Sequence, residues 1–456
     1  MNIIFFALGL FASIKFIHIF QLNGYKVAEQ KKWHQKNMFK TFLFLLPLKP
    51  QKAKKPLVYT ARVKRLLITT AILLSFTNWL GFLLTPILVI FASIVNQPIE
   101  KAVQNYYIKD AKKILNNMKA LKVVGITGSY GKTSVKFYLN TLLKAQYNSI
   151  ATPESFNTPM GVVRTIREKM RATDEVFVCE MGARNVGDIK EICDIVHPQI
   201  GIITSLGEQH LETFKNLKNI VKTKYELLKA LPKDGIGFVN GDNVIIRDNM
   251  PKRKVITYGL NKNNDYVAKN IKTSLKGTSF EVNGIEFQTY LIGEHNVVNI
   301  LGAIAVCHNM GISLEKLKAF VKKIEPVPHR LELKKHSNVT IIDDAYNSNP
   351  AGCKAALETL KMFDDYKILI TPGMVELGTK EYEENFEFGK LATKACDYII
   401  LVGEQQTKPI YEGITKAKYK NVYVAQNLNE ALNYAYQIKT EKRKIILLEN
   451  DLPDNY

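Results

Sequence analysis

VVGITGSYGKTSVKFYL, residues 123–139, joins an apolar run of strand type to a glycine loop and then to the start of a helical pattern. In a turn between a strand and a helix, backbone N–H groups and the helix N-terminus bind phosphate groups. We expect Lys132 to neutralise the β- and γ-phosphate oxygens and the Thr133 hydroxyl to bind Mg²⁺. The stretch therefore predicts an ATP site, with the candidate residues Gly128, Ser129, Gly131, Lys132, Thr133 and Ser134.

The spacing of this loop departs from the common G-x-x-x-x-G-K-[ST] count. Its form, Thr-Gly-x-x-Gly-Lys-Thr at residues 127–133, resembles that of the Mur ligase family, ATP-dependent enzymes that join an amino group to a peptide carboxylate. Further motifs continue the resemblance, in order, over most of residues 120–400. The resemblance implies an α/β fold with a central P-loop ATPase domain and a C-terminal Rossmann-like domain.

Sequence features divide the chain into three predicted parts. We expect a membrane-associated helical leader over residues 1–105, a central ATP-binding ligase domain over residues 106–325 and a C-terminal domain over residues 326–456. The stretch Glu325-Pro-Val-Pro328 marks the second junction. Apolar runs alternate with helical stretches after the leader, which favours mostly parallel sheets in both domains.

The net charge of +21 is concentrated near the N-terminus. Between residues 21 and 65, twelve Lys and Arg face Glu29 as the only acid, beside apolar segments. This is the positive-inside pattern of a membrane protein, so the pattern indicates anionic lipid rather than nucleic acid as the partner. The five cysteines form no C-x-x-C pair, which indicates neither a disulfide framework nor a zinc site and fits a catalytic part in the reducing cytoplasm.

Two apolar segments form the leader. Residues 3–20 are about long enough to span a bilayer, and residues 66–95 form a longer run that Asn78, Gly81 and Pro86 interrupt. If the basic loop and the ATP site are both cytoplasmic, the second run has to enter and leave on one side, so a re-entrant helical hairpin is favoured over a single tilted span. The alternative is a set of buried helices in a soluble domain, against which the unbroken apolarity argues.

The resemblance assigns roles to residues downstream of the phosphate loop. Asn157 and Thr158 match the family's substrate-side loop, Glu180 its magnesium-binding glutamate, and His210 the histidine at a second Mg²⁺. Lys224 matches a lysine that the family uses in carbamylated form, since a carbamate supplies oxygen ligands to a cation. From the residues alone, Lys224 would lie on a solvated helix face and His210 would be a packed or surface histidine.

Later motifs match the nucleotide side of the family's site. Asn296 and Asn299 resemble the adenine-side pair, with an N-terminal capping cluster as the alternative. Arg330 would contact the γ-phosphate from the domain junction, and Asp344 the ribose hydroxyls. Tyr346 and Asn347 complete the set as substrate-binding residues, and the implied catalytic residues are Lys132, His210, Lys224 and Arg330.

The stretch Asp343–Asn349, together with Met374-Val-Glu-Leu-Gly378, resembles the branch of the family that adds D-alanyl-D-alanine. The implied substrates are ATP, a UDP-linked muramoyl peptide and the dipeptide, and the implied cofactor is Mg²⁺ as two ions. Two features depart from the family: the leader stands where a UDP-sugar-binding domain is expected, and the stretch after the last strand, Glu449-Asn-Asp451, is acidic instead of basic. A folylpolyglutamate-type ligase, a membrane P-loop ATPase and a non-catalytic interaction protein remain as alternatives.

Overall fold

The structure, a computed structural model, describes residues 3–37, 56–154, 156–207, 211–336, 338–346, 349–375 and 377–451. The chain divides into two compact units. The first runs to Lys109, and the second extends from Asp110 to Asp451.

The described part of the first unit holds four helices: α1 (Ile3–Leu22), α2 (Val27–Lys36), α3 (Ala61–Leu83) and α4 (Thr85–Asn117), the last of which continues into the second unit. Within the described residues, α1 and α4 are long and apolar enough to cross a membrane by length and composition alone. Helix α4 continues without a break through residue 105, where the sequence analysis placed a domain boundary. The composition becomes polar there, but no residue stops the helix before Asn117.

The apolar run 66–95 forms a hairpin of two antiparallel helices, α3 and α4, which meet at Leu84. Arg65 donates to both carboxylate oxygens of Glu100 at 2.7 and 2.9 Å, and Thr69 donates to the Asn96 amide oxygen at 3.1 Å. Pro86 lies in the first turn of α4, where a proline costs no helical hydrogen bond, and it therefore favours the start of a new helix at this point. The predicted hairpin shape is therefore present, whereas its re-entrance into a membrane stays a prediction.

A nine-stranded sheet forms the core of the central domain, in the order β2-β3-β1-β4-β5-β6-β7-β8-β9. Strands β1 to β6 are parallel, and β7 to β9 form an antiparallel extension. The bounds are β1 (Lys122–Thr127), β2 (Ser149–Ala151), β3 (Val176–Glu180), β4 (Ile200–Ile203), β5 (Ile236–Asn240), β6 (Val255–Gly259), β7 (Tyr266–Ser274), β8 (Gly277–Val282) and β9 (Ile285–Thr289).

Nine helices of the described central domain connect or cover these strands. Two of them, α5 and α12, contribute much of the apolar core against the sheet, including Leu139 and Ile300. The bounds are α5 (Lys132–Leu143), α6 (Pro159–Glu168), α7 (Asp188–Val196), α8 (Leu211–Phe214), α9 (Leu217–Lys224), α10 (Glu226–Ala230), α11 (Val244–Asp248), α12 (Glu294–Asn309) and α13 (Leu314–Val321).

A six-stranded sheet follows in the C-terminal domain, with the order β10-β11-β15-β12-β13-β14 and only β10 antiparallel. Its helices alternate with its strands, as in a Rossmann-like domain. The bounds are β10 (Glu332–Lys335), β11 (Val339–Asp344), α14 (Pro350–Lys361), β12 (Tyr366–Thr371), α15 (Glu381–Ala392), β13 (Tyr398–Val402), α16 (Glu404–Lys416), β14 (Val422–Ala425), α17 (Leu428–Gln437) and β15 (Lys444–Glu449). The predicted α/β class and largely parallel sheets are therefore correct.

Candidate active site

The phosphate loop turns from β1 into α5 at the carboxyl end of the central sheet. Gly128 and Gly131 both have positive φ, and a Cβ atom on Gly128 would lie 2.1 Å from the Thr204 hydroxyl. The loop is tied to the chain after β4 because the Ser129 N–H donates to the Ser205 carbonyl at 2.8 Å. Only glycine tolerates these backbone positions at no steric cost, so the loop shape is specified by its sequence.

Lys132 begins α5 and turns back over this loop. Its ammonium donates to the carbonyl oxygens of Gly128 and Ser129 at 2.8 and 2.9 Å. Burial lowers the pKa of Lys132 to about 8, an effect that Glu180 opposes and Arg330 reinforces. The lysine thus lies where an incoming phosphate group would replace weak carbonyl partners with charged oxygens.

Glu180 ends β3, next to β1 in the sheet, and its carboxylate is buried. One oxygen, Oε1, accepts hydrogen bonds from the Thr133 hydroxyl at 3.2 Å and from the Asn157 amide at 3.0 Å. The other, Oε2, lies 3.1 Å from the ammonium of Lys136. Burial by itself raises the pKa of Glu180, but the ammonium groups of Lys136 and Lys132 outweigh it, so its pKa lies below the usual value.

Sequence reasoning missed Lys136, which is fully buried. Besides its ion pair with Glu180, it donates to the carbonyl of Glu154, a residue with positive φ in the loop that carries Asn157. The i, i+4 spacing from Lys132 places both lysines on one face of α5, and that spacing is the signal that could have identified it.

The loop before α6 holds the predicted substrate residues Asn157 and Thr158. The Asn157 carbonyl accepts from the Gly182 N–H at 2.7 Å, which ties the loop to the end of β3. Thr158 is the N-cap of α6, and its hydroxyl accepts from the Gly161 N–H at 3.3 Å. Both residues are therefore held in place by local hydrogen bonds.

Lys224 is the last residue of α9 and is 3% exposed. Burial lowers its pKa well below the ordinary value, and Lys132 lowers it further. Among the residues that the structure describes, no carboxylate lies within ion-pair distance of its ammonium. A solvated helix face, the alternative from sequence, is therefore wrong for Lys224.

A cavity of about 480 Å³ opens beside the phosphate loop and is lined from both domains of the second unit. Asn296 and Asn299 on α12 both line it, but they differ in their contacts. Asn296 accepts from the Tyr138 hydroxyl at 2.8 Å and donates to the Ile292 carbonyl at 2.9 Å, so both ends of its amide are engaged. Asn299 lies against the phosphate loop, since a Cβ on Gly131 would be 2.8 Å from its amide oxygen.

Arg330, Asp344 and Tyr346 line the same cavity from the C-terminal side. The Arg330 guanidinium lies 4.8 Å from the Tyr346 ring centre, and one Asp344 oxygen accepts from the Leu331 N–H at 3.2 Å. Burial raises the pKa of Asp344 to about 7, with a further contribution from nearby Glu449. Three predicted residues thus lie together at the domain junction.

His210, Asn347 and the Glu376 of the branch motif lie outside the described residues. The described part of the chain holds no group of three His, Cys, Asp or Glu side chains arranged for a metal ion. The donors that are present nevertheless fit Mg²⁺, which prefers oxygen ligands: Thr133 supplies a hydroxyl and Glu180 a buried carboxylate. Oε2 of Glu180 is buried against the Lys136 ammonium, whose charge lowers the pKa of the carboxyl and so keeps it anionic, as a cation ligand must be.

Two family profiles match the second unit. The Mur ligase middle domain matches residues 126–307, and a domain described as “Mur ligase, glutamate ligase domain” matches residues 329–449. Both matches fall where the fold places the two α/β domains. The phosphate loop, Glu180 and Lys224 lie within the first match, and Arg330 and Asp344 lie within the second.

Two curated proteins and one solved structure illustrate what the chain is similar to. The UDP-N-acetylmuramoyl-tripeptide--D-alanyl-D-alanine ligase of Bacillus subtilis (strain 168) is 34% identical over 284 residues, which cover 61% of this chain and 60% of that protein. Its namesake from Escherichia coli (strain K12) is 30% identical over 333 residues, covering 69% and 73%. A solved structure of MurF ligase from Thermotoga maritima in complex with ADP has a TM-score of 0.68 at 26% identity, covering 76% of this chain and 80% of that one.

The ion pair between Lys136 and Glu180 yields a stability prediction. Lys136→Met should lower the free energy of unfolding by about 3–5 kcal/mol, because it leaves a buried carboxylate without its charged partner. The double variant Lys136→Met/Glu180→Gln should recover part of that loss, since neither side chain is then charged. Urea unfolding of both variants measures the difference.

Lys144→Met is the matched control, because Lys144 is exposed at the other end of α5 and should change stability by less than about 0.5 kcal/mol. Equal stability of Lys136→Met and Lys144→Met would contradict the ion pair. So would a double variant no more stable than Lys136→Met.

Proposed function

The chain belongs to the Mur ligase family, and we propose that it is an ATP-dependent, ADP-forming ligase of peptidoglycan precursor synthesis. In this proposal it joins D-alanyl-D-alanine to the peptide of a UDP-linked muramoyl precursor. The phosphate loop and the buried Glu180 carboxylate, at adjacent strand ends, carry the proposal. The match to the Escherichia coli ligase, over 73% of that protein, supports the choice of substrates.

The alternatives fit the site less well. A membrane P-loop ATPase would need a strand that ends in Asp-Glu beside the loop, whereas β3 ends in Cys179-Glu180 and β4 in Ile202-Ile203. A non-catalytic interaction protein would not need to keep an intact Gly-Lys-Thr loop. A folylpolyglutamate-type ligase shares the chemistry and would differ only in its substrates.

The reaction runs in two steps. A carboxylate oxygen of the peptide attacks the γ-phosphorus of ATP, the bond to the bridging oxygen breaks, and an acyl phosphate and ADP result. The amine of the dipeptide then attacks the acyl carbon and loses a proton, and the C–O bond to phosphate breaks. Magnesium, when bound, neutralises the reacting carboxylate and the transferring phosphoryl group together.

Side chains of the phosphate loop serve the first step. Lys132 exchanges the carbonyls of Gly128 and Ser129 for phosphate oxygens, while the Gly131 end of α5 presents its N–H groups. Arg330 approaches the γ-phosphate from the C-terminal domain, opposite Lys132. Positive charge from two domains thus converges on the group that is transferred.

In this proposal, side chains that line the cavity bind the nucleotide. Asp344 accepts hydrogen bonds from the ribose hydroxyls, and Asn299 contacts the base side of the nucleotide. Asn296 supports α12 instead of the nucleotide directly, because its amide already bonds Tyr138 and Ile292. Asn157, Thr158, Tyr346 and Asn347 bind the peptide substrate.

Two Mg²⁺ ions complete the site in this proposal. Thr133 and Glu180 hold the first, and His210 together with a carbamate on Lys224 holds the second. A buried lysine without a carboxylate partner is a poor neighbour for a cation, whereas its carbamate supplies two anionic oxygens. Carbamylation thereby turns a repulsive group into a ligand.

The first unit serves as a membrane anchor in this proposal, with the catalytic part in the cytoplasm. Large apolar side chains on α1, α3 and α4 point outward, and Phe11 and Phe76 are 78% and 80% exposed. Apolar surface of this extent on three neighbouring helices indicates a partner, and a lipid bilayer is one that accepts it from all sides. Basic residues of the same unit would meet anionic lipid headgroups.

The activity prediction uses a panel of substrates. Phosphate release from ATP should be fastest with a UDP-muramoyl tripeptide and D-alanyl-D-alanine together, and near background with either one alone. Lys132→Ala should abolish it, because the γ-phosphate loses its buried cation. ATP hydrolysis without an amine acceptor would favour the ATPase alternative, and faster turnover with folate and glutamate would favour the folylpolyglutamate type.

The carbamate prediction concerns Lys224. Lys224→Ala should lose most activity, and a small carboxylate such as acetate should restore part of it by occupying the vacated anionic site. Lys222→Ala is the control, since Lys222 is exposed on the same helix and should keep near-normal turnover. Normal turnover of Lys224→Ala would remove this lysine from the metal site.

The anchoring prediction concerns the full chain. It should stay with the membrane fraction after an alkaline carbonate wash, because lipid-facing apolar surface is not released by breaking ionic contacts. Fractionation followed by immunoblotting measures this. Release of the full chain by carbonate, or its recovery in the soluble fraction, would contradict the anchor. It would favour the alternative that α1, α3 and α4 are helices of a soluble domain.

A further inference from the structure

The three long helices of the first unit pair in an antiparallel manner, which gives the bundle two distinct ends. The Phe5 ring lies 6.2 Å from that of Phe82, so the start of α1 lies beside the end of α3. At the other end, the side-chain amide of Gln21 bonds the carbonyl and N–H of Val58 at 2.9 and 3.0 Å. The start of α1 and the α3–α4 turn at Leu84 therefore form one end, called the tip.

The opposite end, called the base, consists of the C-terminal end of α1, the N-terminal end of α3 and residues 96–100 of α4. Its ion pairs join Arg62 and Arg65 to Glu100, and the Arg62 guanidinium stacks 4.1 Å from the Tyr25 ring centre. The helix that leads onward to the ATP-binding unit, α4, leaves the bundle here. The base thus contains charged side chains of the bundle, and the chain continues from it into the second unit.

Charge is distributed unequally between the two ends. Residues 3–14 and 66–95, which include the tip, contain no Lys, Arg, Asp or Glu. Lysines and arginines lie next to the base, both in the segment that follows α1 and at the start of α3. Cytoplasmic loops of membrane proteins carry this basic excess, so the charge pattern orients the base toward the cytoplasm.

The length of α3 matches a full crossing. From residue 66 to residue 83, α3 is about 27 Å long at roughly 1.5 Å per residue, close to the hydrocarbon thickness of about 30 Å. Several polar side chains lie inside the bundle instead of facing lipid: Ser13, Thr70, Thr85 and Asn96 are all buried. A segment that crosses hydrocarbon keeps its polar groups inward in this way.

We propose that α1, α3 and the first half of α4 cross the bilayer as three antiparallel segments, with the tip on the non-cytoplasmic face. This inference rests on the proposed membrane anchoring and replaces a re-entrant hairpin with one that reaches the far side. Both ends of the hairpin still lie on the cytoplasmic side, because α3 crosses outward and α4 crosses back. The start of α1 then lies on the outer face.

Cysteine labelling of the full chain tests this arrangement. All five native cysteines are buried, so the unmodified chain serves as the background. Ile3→Cys and Leu83→Cys place exposed thiols at the tip, and Lys31→Cys places one at the base. Each variant is treated with a membrane-impermeant maleimide in right-side-out and in inverted membrane vesicles, after confirming unchanged phosphate release.

We expect both tip variants to react at least tenfold faster in right-side-out vesicles and Lys31→Cys at least tenfold faster in inverted ones. A Leu83→Cys thiol that is protected from both sides would place the turn within the hydrocarbon and overturn the crossing. Labelling of either tip thiol from the cytoplasmic side would overturn it as well. Loss of the chain from carbonate-washed vesicles would instead refute the anchoring on which the inference rests.

Discussion

The buried carboxylate of Glu180 is the constraint on which the geometry of the candidate site depends. A charge in apolar surroundings is tolerated only when it is paired and hydrogen-bonded. Thr133, Lys136 and Asn157 meet that requirement from two segments, the helix after the phosphate loop and the loop before α6. If either segment moved away, the Glu180 charge would remain among apolar groups without its partners. The free-energy cost of that loss keeps the two segments together and so preorganises the site.

The phosphate loop and the position of Glu180 at the end of a strand could be predicted from sequence because their signals are local. The positive φ of Gly128 and Gly131 requires glycine, and Glu180 directly ends an apolar strand. Lys136 gave only its i, i+4 spacing from Lys132, which does not reveal that its side chain is buried. Its burial depends on β3, which lies forty residues further along the chain and pairs with β1 only in the folded sheet. From sequence alone, a lysine in a short amphipathic helix is most simply explained as solvent-exposed.

The leader shows the same division between local and tertiary information. Gly81 and Pro86 marked a break, and the structure has one at Leu84. The pairing of α1 with the hairpin, by contrast, depends on which helix ends meet in space. The expected boundary at residue 105 followed a change in composition, but polar residues with good helix propensity continue α4 to Asn117. A change from apolar to polar residues changes the environment that suits a helix, but it does not end the helix.

In the proposed ligase, the linker between the two α/β domains would couple nucleotide binding to the placement of the C-terminal domain. His329 and Leu331 flank Arg330 and both have positive φ, a conformation that costs of order 1–3 kcal/mol for each residue that is not glycine. Contacts with the C-terminal sheet hold it: His329 hydrogen-bonds Asp343 at 2.8 Å, and the Leu331 N–H donates to Asp344. A nucleotide that binds Arg330 and Asp344 engages the groups that maintain this strain. By linkage, its affinity and the conformational equilibrium of the linker must depend on each other.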